Sequence, residues 1–261
     1  MEKLIIVKIG GSVIDDEKKL SSFLQSFVSI ESRKILVHGG GKLATTVAEA
    51  MGIPQQVING RRITDAETLK VITMVYAGYI NKNIVAQLQA NGCNAIGLTG
   101  ADANMIQAHK RDHPQIDYGF VGDIDSVNVD FIQSLLLSKL SLVMAPVTHD
   151  KNGLLLNTNA DTIAQETASA MSMLYHVELI YCFEKDGVLM NAADDSTVIA
   201  KINAMDYTKL KEKNIISAGM MPKLDNAFAA VNKGVKKVII GNAANLNELT
   251  SNQSGTIIED E

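Results

Sequence analysis

LIIVKIGGS, residues 4–12, decides the architecture. Leu4, Ile5, Ile6 and Val7 follow one another without a polar break, the pattern of a strand buried on both faces in the middle of a parallel sheet. Lys8 comes next, then Ile9 and the pair Gly10-Gly11. An ammonium at the end of a buried strand is costly unless an anion compensates it, so the lysine points to a nearby negative charge.

The theme recurs in ILVHGGGK, residues 35–42, where a strand runs into Gly39-Gly40-Gly41 and a helix begins near Lys42. Further short apolar runs at 94–99, 140–146, 177–183 and 236–241 read as strands. Amphipathic stretches at 17–30, 42–51, 129–140, 161–171 and 222–233 read as helices. Such alternation predicts an α/β fold, with a parallel or mixed sheet carrying helices on both faces. The rhythm places a boundary between two lobes near residues 172–178.

Bulk properties narrow the function. The chain has 261 residues, 46% hydrophobic and 20% charged, enough for one large domain or two lobes with cores of their own. A net charge of -5 argues against nucleic acid or a membrane surface as partner, since both want a basic face. No apolar run reaches membrane-spanning length, and Lys8 interrupts any signal-peptide core. Two cysteines far apart, Cys93 and Cys182, suit a reduced, cytoplasmic protein. The histidines His38, His109, His113, His149 and His176 lack zinc-ligand spacing, so no metal-ligating residue is assigned.

One helix is unusually long. Thr64-Asp65-Ala66-Glu67 has the form of a capping box with Thr64 as N-cap, and Asn91-Gly92 supplies a C-terminal glycine. Its middle, VITMVYAGYI, is apolar almost all round, more than one buried face needs. It is either a central core helix or one that also buries a face against a second copy, which would make a homodimer through helix 65–91.

Three phosphate-binding patterns compete for the glycine turns. Gly41-Lys42 lacks the Ser/Thr and the first glycine of a Walker A loop. Gly39, Gly41 and Ala44 satisfy a dinucleotide fingerprint, but no acidic residue ends a second strand at the required distance. The third pattern is an oxyanion cradle, in which Gly10-Gly11 and Gly39-Gly40-Gly41 end adjacent strands and turn their N–H groups on one phosphoryl group. Arg61 and Arg62 precede the long helix, where the helix dipole disfavours a cation, so a carboxylate is a suitable partner for one and solvent for the other. Asp161 follows Asn157 and Asn159 at a helix start, where by itself it could be a cap. Lys223, just after Pro222, is again a cation in a first turn.

In order along nearly the whole chain, KIGGS, HGGGK, NGRRITD, GLTGADANMI, YGFVGDIDSVN, NTNAD, EKDGVL and SAGMMPKL resemble the amino-acid kinase family, in its branch acting on acylglutamate. The resemblance implies a three-layer sandwich about a mainly parallel sheet, as in carbamate kinase, with an acylglutamate-binding and dimerising lobe over 1–175 and an ATP lobe over 176–261. It implies phosphorylation by ATP with Mg²⁺ of the γ-carboxylate of an N-acylated glutamate, acetyl or succinyl, the second step of arginine biosynthesis. Lys8 and Lys223 then match the lysines that stabilise the transferred phosphoryl group, and Asp161 the aspartate that orients them. Gly10, Gly11 and Gly40 match the phosphate cradle; Gly40, Gly41, Arg62 and Asn157 match the acyl-substrate site. Glu184, Lys185, Asp186, Gly187, Ile215, Ile216 and Ser217 match the nucleotide site.

The chain departs from the pattern at Phe183-Glu184, where Asp-Val is frequent, and at Thr148, near the acyl side, where glycine is common. Arginine-inhibited members carry an extra N-terminal helix, whereas seven residues precede Lys8 here; the expectation is a dimer without arginine feedback through that helix. The rivals are a kinase of another carboxylate or phosphate, such as aminoadipate, and a non-catalytic nucleotide or metabolite sensor. A sensor has no use for Lys8, Asp161 and Lys223 together. A carboxylate nucleophile, with a reference pKa near ~4.3, is ionised at neutral pH and needs no general base.

Overall fold

The computed structural model describes residues 1–58, 61–191, 193–213, 215–216 and 220–259. In chain order the strands begin with β1 (Lys3–Ile9), β2 (Arg33–His38), β3 (Val57–Ile58), β4 (Arg61–Arg62) and β5 (Ala95–Leu98). They continue with β6 (Ile106–Lys110), β7 (Gly122–Val127), β8 (Ser141–Met144), β9 (Val147–His149) and β10 (Leu155–Asn157). The last are β11 (His176–Phe183), β12 (Lys201–Ile202), β13 (Lys237–Asn242) and β14 (Thr256–Ile258). Eight form one sheet in the order β12-β14-β13-β11-β1-β2-β8-β5, parallel except where β14 runs against β13. β1 is therefore flanked by β2 and β11, which explains its unbroken apolar run.

The alternation of β1 assigns its side chains to two cores. Leu4 and Ile6 pack on one face with residues of α6 (Val129–Leu137), α7 (Ala160–Met171) and α9 (Met221–Asn232). Ile5, Val7 and Ile9 pack on the other with residues of α2 (Glu17–Val28), α3 (Gly41–Ala50), α4 (Ala66–Ile72) and α5 (Asn81–Ala90). With period two, Lys8 shares the face of Leu4 and Ile6, the face covered by α7 and α9. A smaller four-stranded sheet, β10-β9-β6-β7, and the hairpin β3–β4 accompany the large sheet; the sequence marks only the short apolar run before Asn157, now β10, as a strand among them.

The long helix is a composite. α4 passes into a π-helical segment, Thr73–Ile80, and then into α5. Val75, Tyr76, Ile80, Ile84 and Leu88 are buried, while Met74 and Tyr79 are 52% and 64% exposed. Gly92 ends it at φ +79°, as expected. The start is corrected: the N-cap is Asp65, whose carboxylate accepts the Thr68 N–H at 2.7 Å. Thr64 is buried and held outside the helix, its N–H donating to the Tyr118 carbonyl and its own carbonyl accepting from Phe120. Among the described residues no helix is long and apolar enough to cross a membrane.

Candidate active site

The site lies at the carboxyl ends of the central strands, the side on which open α/β sheets bind ligands. Lys8, one residue before the end of β1, is 8% exposed and brings its Nζ to 2.7 Å from Asp161 Oδ1. That oxygen is buried and makes no aligned hydrogen bond, so the contact is one of charge. Asp161 is not the helix cap: Asn159 is, its Oδ1 accepting the N–H groups of Asp161 at 2.8 Å and Thr162 at 3.2 Å. The cap leaves the Asp161 carboxylate free to face the lysine.

Lys223, in the first turn of α9, reaches the same place from the helix layer on that face of the sheet. Its Nζ sits 3.5 Å from the centroid of the Phe183 ring, and Lys8 Nζ lies 5.8 Å from the same centroid. Burial pulls the Lys223 ammonium below the ordinary lysine range; the Asp161 carboxylate opposes that shift and the Lys8 charge adds to it. The two misplaced lysines of the sequence are thus neighbours around one aromatic ring and one carboxylate. Phe183 was not among the expected site residues, because its role follows only from β11 pairing with β1.

The two glycine turns lie side by side. The Gly39 N–H donates to the Ile9 carbonyl at 3.0 Å, and a Cβ on Gly39 would lie 3.9 Å from Gly10 Cα. Neither α1 (Gly11–Ile14) nor α3 has a side-chain cap, and among the described residues the N–H groups of Gly11, Gly40 and Gly41 have no acceptor. Gly40 has φ +142°, and a Cβ there would meet Ile80 Cδ1 at 2.2 Å, so no other residue fits.

Beside this cradle a cavity of about 250 Å³ is lined by Gly40, Gly41, Arg61, Arg62, Tyr76 and Asn157, among others. Arg62 anchors the wall: Nη2 donates to the Gly41 carbonyl at 2.8 Å and to Thr45 Oγ1 at 2.7 Å, and Nη1 donates to Gln55 Oε1. Neither arginine is a solvated surface residue. Burial and the neighbouring Arg111 charge lower the pKa of Arg61. Asn157 Nδ2 donates to Thr64 Oγ1 at 3.0 Å. Thr148, expected near the acyl group, is fully buried and reaches the cavity only through its hydroxyl contact, 2.7 Å, with Thr158 Oγ1.

A second cleft, of about 120 Å³, is lined by Lys185, Gly187, Val188, Leu189, Ile215, Ile216 and Met220. Four of the residues matched to the nucleotide site are together there. Glu184 lines a separate cleft with Ser12 and Phe23, and Asp186 accepts a hydrogen bond from Asn242 Nδ2 at 2.9 Å. Ser217 lies outside the described residues. A larger cavity, about 630 Å³, sits at the opposite end of the sheet beside Lys3, Arg33 and Lys34, away from all of these groups.

Known proteins resemble this chain over nearly its whole length. The model of the amino acid kinase family matches residues 3–242. The acetylglutamate kinase of Phocaeicola vulgatus is 52% identical over 258 residues, covering 99% of each chain. Among solved structures, smu.665 of Streptococcus mutans superposes with a TM-score of 0.81 at 27% identity, over 99% of both chains. The carbamate kinase of Giardia lamblia, bound to AMP-PNP, gives 0.72 at 13% identity, over 100% of this chain and 99% of its own, a likeness of fold. The chain therefore belongs to the amino acid kinase family.

Proposed function

We propose that this protein is an ATP-dependent kinase of the γ-carboxylate of an N-acylated glutamate, N-acetylglutamate in the first instance, forming an acyl phosphate in the second step of arginine biosynthesis. The observation that carries the reading is the meeting of Lys8, Lys223 and Asp161 at the mouth of two uncapped glycine turns. The relatives' printed name supplies the substrate. A sensor would not need one buried and one half-buried ammonium group around one carboxylate, and an aminoadipate kinase would need a longer acyl cavity.

The chemistry follows from the residues. The acid's γ-carboxylate is its own nucleophile, so the protein has to align it and neutralise charge on the phosphoryl oxygens. Lys8 and Lys223 supply positive charge; Asp161 keeps Lys8 in place and eases its repulsion of Lys223. Gly10, Gly11 and Gly40 offer backbone N–H groups to the γ-phosphate. Arg62 and Asn157, with Gly40 and Gly41, hold the α-carboxylate and acyl amide. The adenine enters the cleft of Lys185, Gly187, Ile215 and Ile216.

Among the described residues no group of three or more His, Cys, Asp or Glu side chains could hold a metal. Asp161, facing the cradle, is paired with Lys8. This donor set fits a magnesium ion carried by the nucleotide's phosphates and water, where it would neutralise phosphate charge. In this reading residues 1–175 bind the acyl acid and 176–261 the nucleotide. A homodimer forms through helix 65–91, whose Met74 and Tyr79 stand exposed, and the enzyme works in the cytoplasm.

Hydroxylamine trapping of acyl phosphate, with Mg-ATP and a panel of glutamate, N-acetylglutamate, N-succinylglutamate and 2-aminoadipate, tests the reading. Hydroxamate from an N-acylated glutamate alone supports it and names the acyl group. ATP binding without hydroxamate from any acid would leave a sensor.

A further inference from the structure

His38 ends β2 directly before the three glycines and is fully buried, yet it touches neither the acyl cavity nor the nucleotide cleft. Its ring lies on the face of the sheet opposite Lys8, against the helix that follows the π-helical segment. Nδ1 is 2.8 Å from the Gly39 carbonyl oxygen, and Nε2 is 3.2 Å from Asn81 Nδ2. A carbonyl only accepts, so Nδ1 carries the proton. Burial holds the ring neutral, its pKa pushed down to about 4, so Nε2 is an acceptor. Asn81 closes the arrangement consistently: one N–H goes to His38, the other to the Val143 carbonyl at 3.0 Å. Its Oδ1 accepts from Lys82 Nζ at 3.1 Å, and that lysine also donates to the Gly97 carbonyl at 2.6 Å. Each partner admits one donor–acceptor assignment.

Because the peptide bond is planar and trans, fixing the Gly39 carbonyl fixes the Gly40 N–H on the opposite side of the same plane. Gly40 cannot hold that direction by itself, since it has no side chain and sits at φ +142°. Tyr76 and Ile80, from the π-helical segment, fill the space a Gly40 side chain would need.

We propose that His38, locked by Asn81, is the positioning residue that aims the Gly40 N–H into the phosphate cradle. This rests on the kinase reading above. It adds that the π-helical segment and Asn81 give the long helix a task in phosphoryl transfer beside any task at an interface.

Two substitutions separate the ring's two nitrogens. In His38→Asn the side-chain amide N–H takes the place of Nδ1–H; in His38→Gln the amide oxygen takes the place of the accepting Nε2, and no N–H is left at the Gly39 carbonyl. The expected result is kcat within about threefold of wild type for His38→Asn and about 10–100-fold lower for His38→Gln, less than the loss of a whole oxyanion donor. KM for ATP and for the acyl acid stays within about twofold in both, as for a group acting in the transition state. Equal kcat in the two variants, or a loss expressed in KM, overturns the proposal.

A measurement on the wild-type enzyme guards against misfolded variants. ¹⁵N NMR of labelled histidine should give the neutral Nδ1–H tautomer for His38 at pH 7, and the Nε2–H tautomer overturns the proposal whatever the variants do. Failure of the kinase reading appears separately, as no hydroxamate from wild-type enzyme with any acid. In that event the catalytic role of Gly40 falls with it, and an Nδ1–H tautomer would mark only a support for the turn.

Discussion

The Lys223 ammonium rests 3.5 Å from the centroid of the Phe183 ring, on the same face of the sheet as Lys8. The ring gives a cation a place to wait that is neither water nor a permanent carboxylate partner. Replacing Phe183 by Leu keeps an apolar neighbour and removes the π face, an interaction worth ~0.5–2 kcal/mol. The expected outcome is a kcat lower by about 3–10-fold, against about 10²–10³-fold for Lys223→Ala, which removes the charge. Steady-state hydroxamate assays decide it, and a Phe183→Leu enzyme as fast as wild type would make the ring mere packing.

Lys8 and Asp161 should behave as a unit in stability but not in catalysis. Lys8→Met leaves a largely buried carboxylate without its 2.7 Å partner, at a cost of about 2 kcal/mol, below the usual range for broken buried pairs because Lys223 stays close. Adding Asp161→Asn should restore most of that loss in urea unfolding while kcat stays depressed by about 10²-fold or more. Recovery of activity in the double variant would remove Lys8 from the chemistry.

Arg62 is tied to Gly41, Thr45 and Gln55, so it builds the cavity wall as well as facing a ligand. Arg62→Lys loses the planar fork and should raise KM for the acyl acid about 10–100-fold, the scale of one or two charge-assisted hydrogen bonds. KM for ATP should change little. An unchanged acyl-acid KM would put the substrate carboxylate on Arg61 instead.

Burial of His38 has a pH signature. Its folded pKa, about 4, lies below the ordinary value of 6.5, so between those values the unfolded chain binds more protons. Stability from this group is then full above pH 6.5 and lost as pH falls toward 4. Between pH 7 and pH 5 wild type should lose about 2 kcal/mol more than His38→Asn, read from urea midpoints at the two pH values. Parallel losses would mean that His38 titrates normally.

Much of this was legible in the sequence, and the reasons differ by residue. Lys8 stood out because a lysine contradicts the apolar run that carries it, and its pairing with Asp161 follows from the period of β1 and the start of α7. Thr64 misled because a capping box is a local pattern, whereas the bonds to Tyr118 and Phe120 come from residues far along the chain. The π-helical segment left no trace, since VITMVYAGYI is apolar on every side and carries no phase to count. β6 and β7 hid in the short, largely polar stretches IQAHK and GDIDSV, where alternation is weak. Phe183 and His38 were illegible as site residues for a common reason: each acts through a neighbour supplied by another strand or helix.

The position of β1 also bears on how the protein is made. Lys8 pairs with Val37 on one side and with Tyr181 on the other, so the strand gains its second flank only after most of the chain has left the ribosome. Until then a highly apolar strand presents an unpaired edge, the kind of surface that recruits other chains. Pairings so distant in sequence form slowly. Burial of Lys8 beside Asp161 therefore waits for β11: no N-terminal fragment ending before that strand can bury Lys8, and a chaperone would find its natural client in that interval.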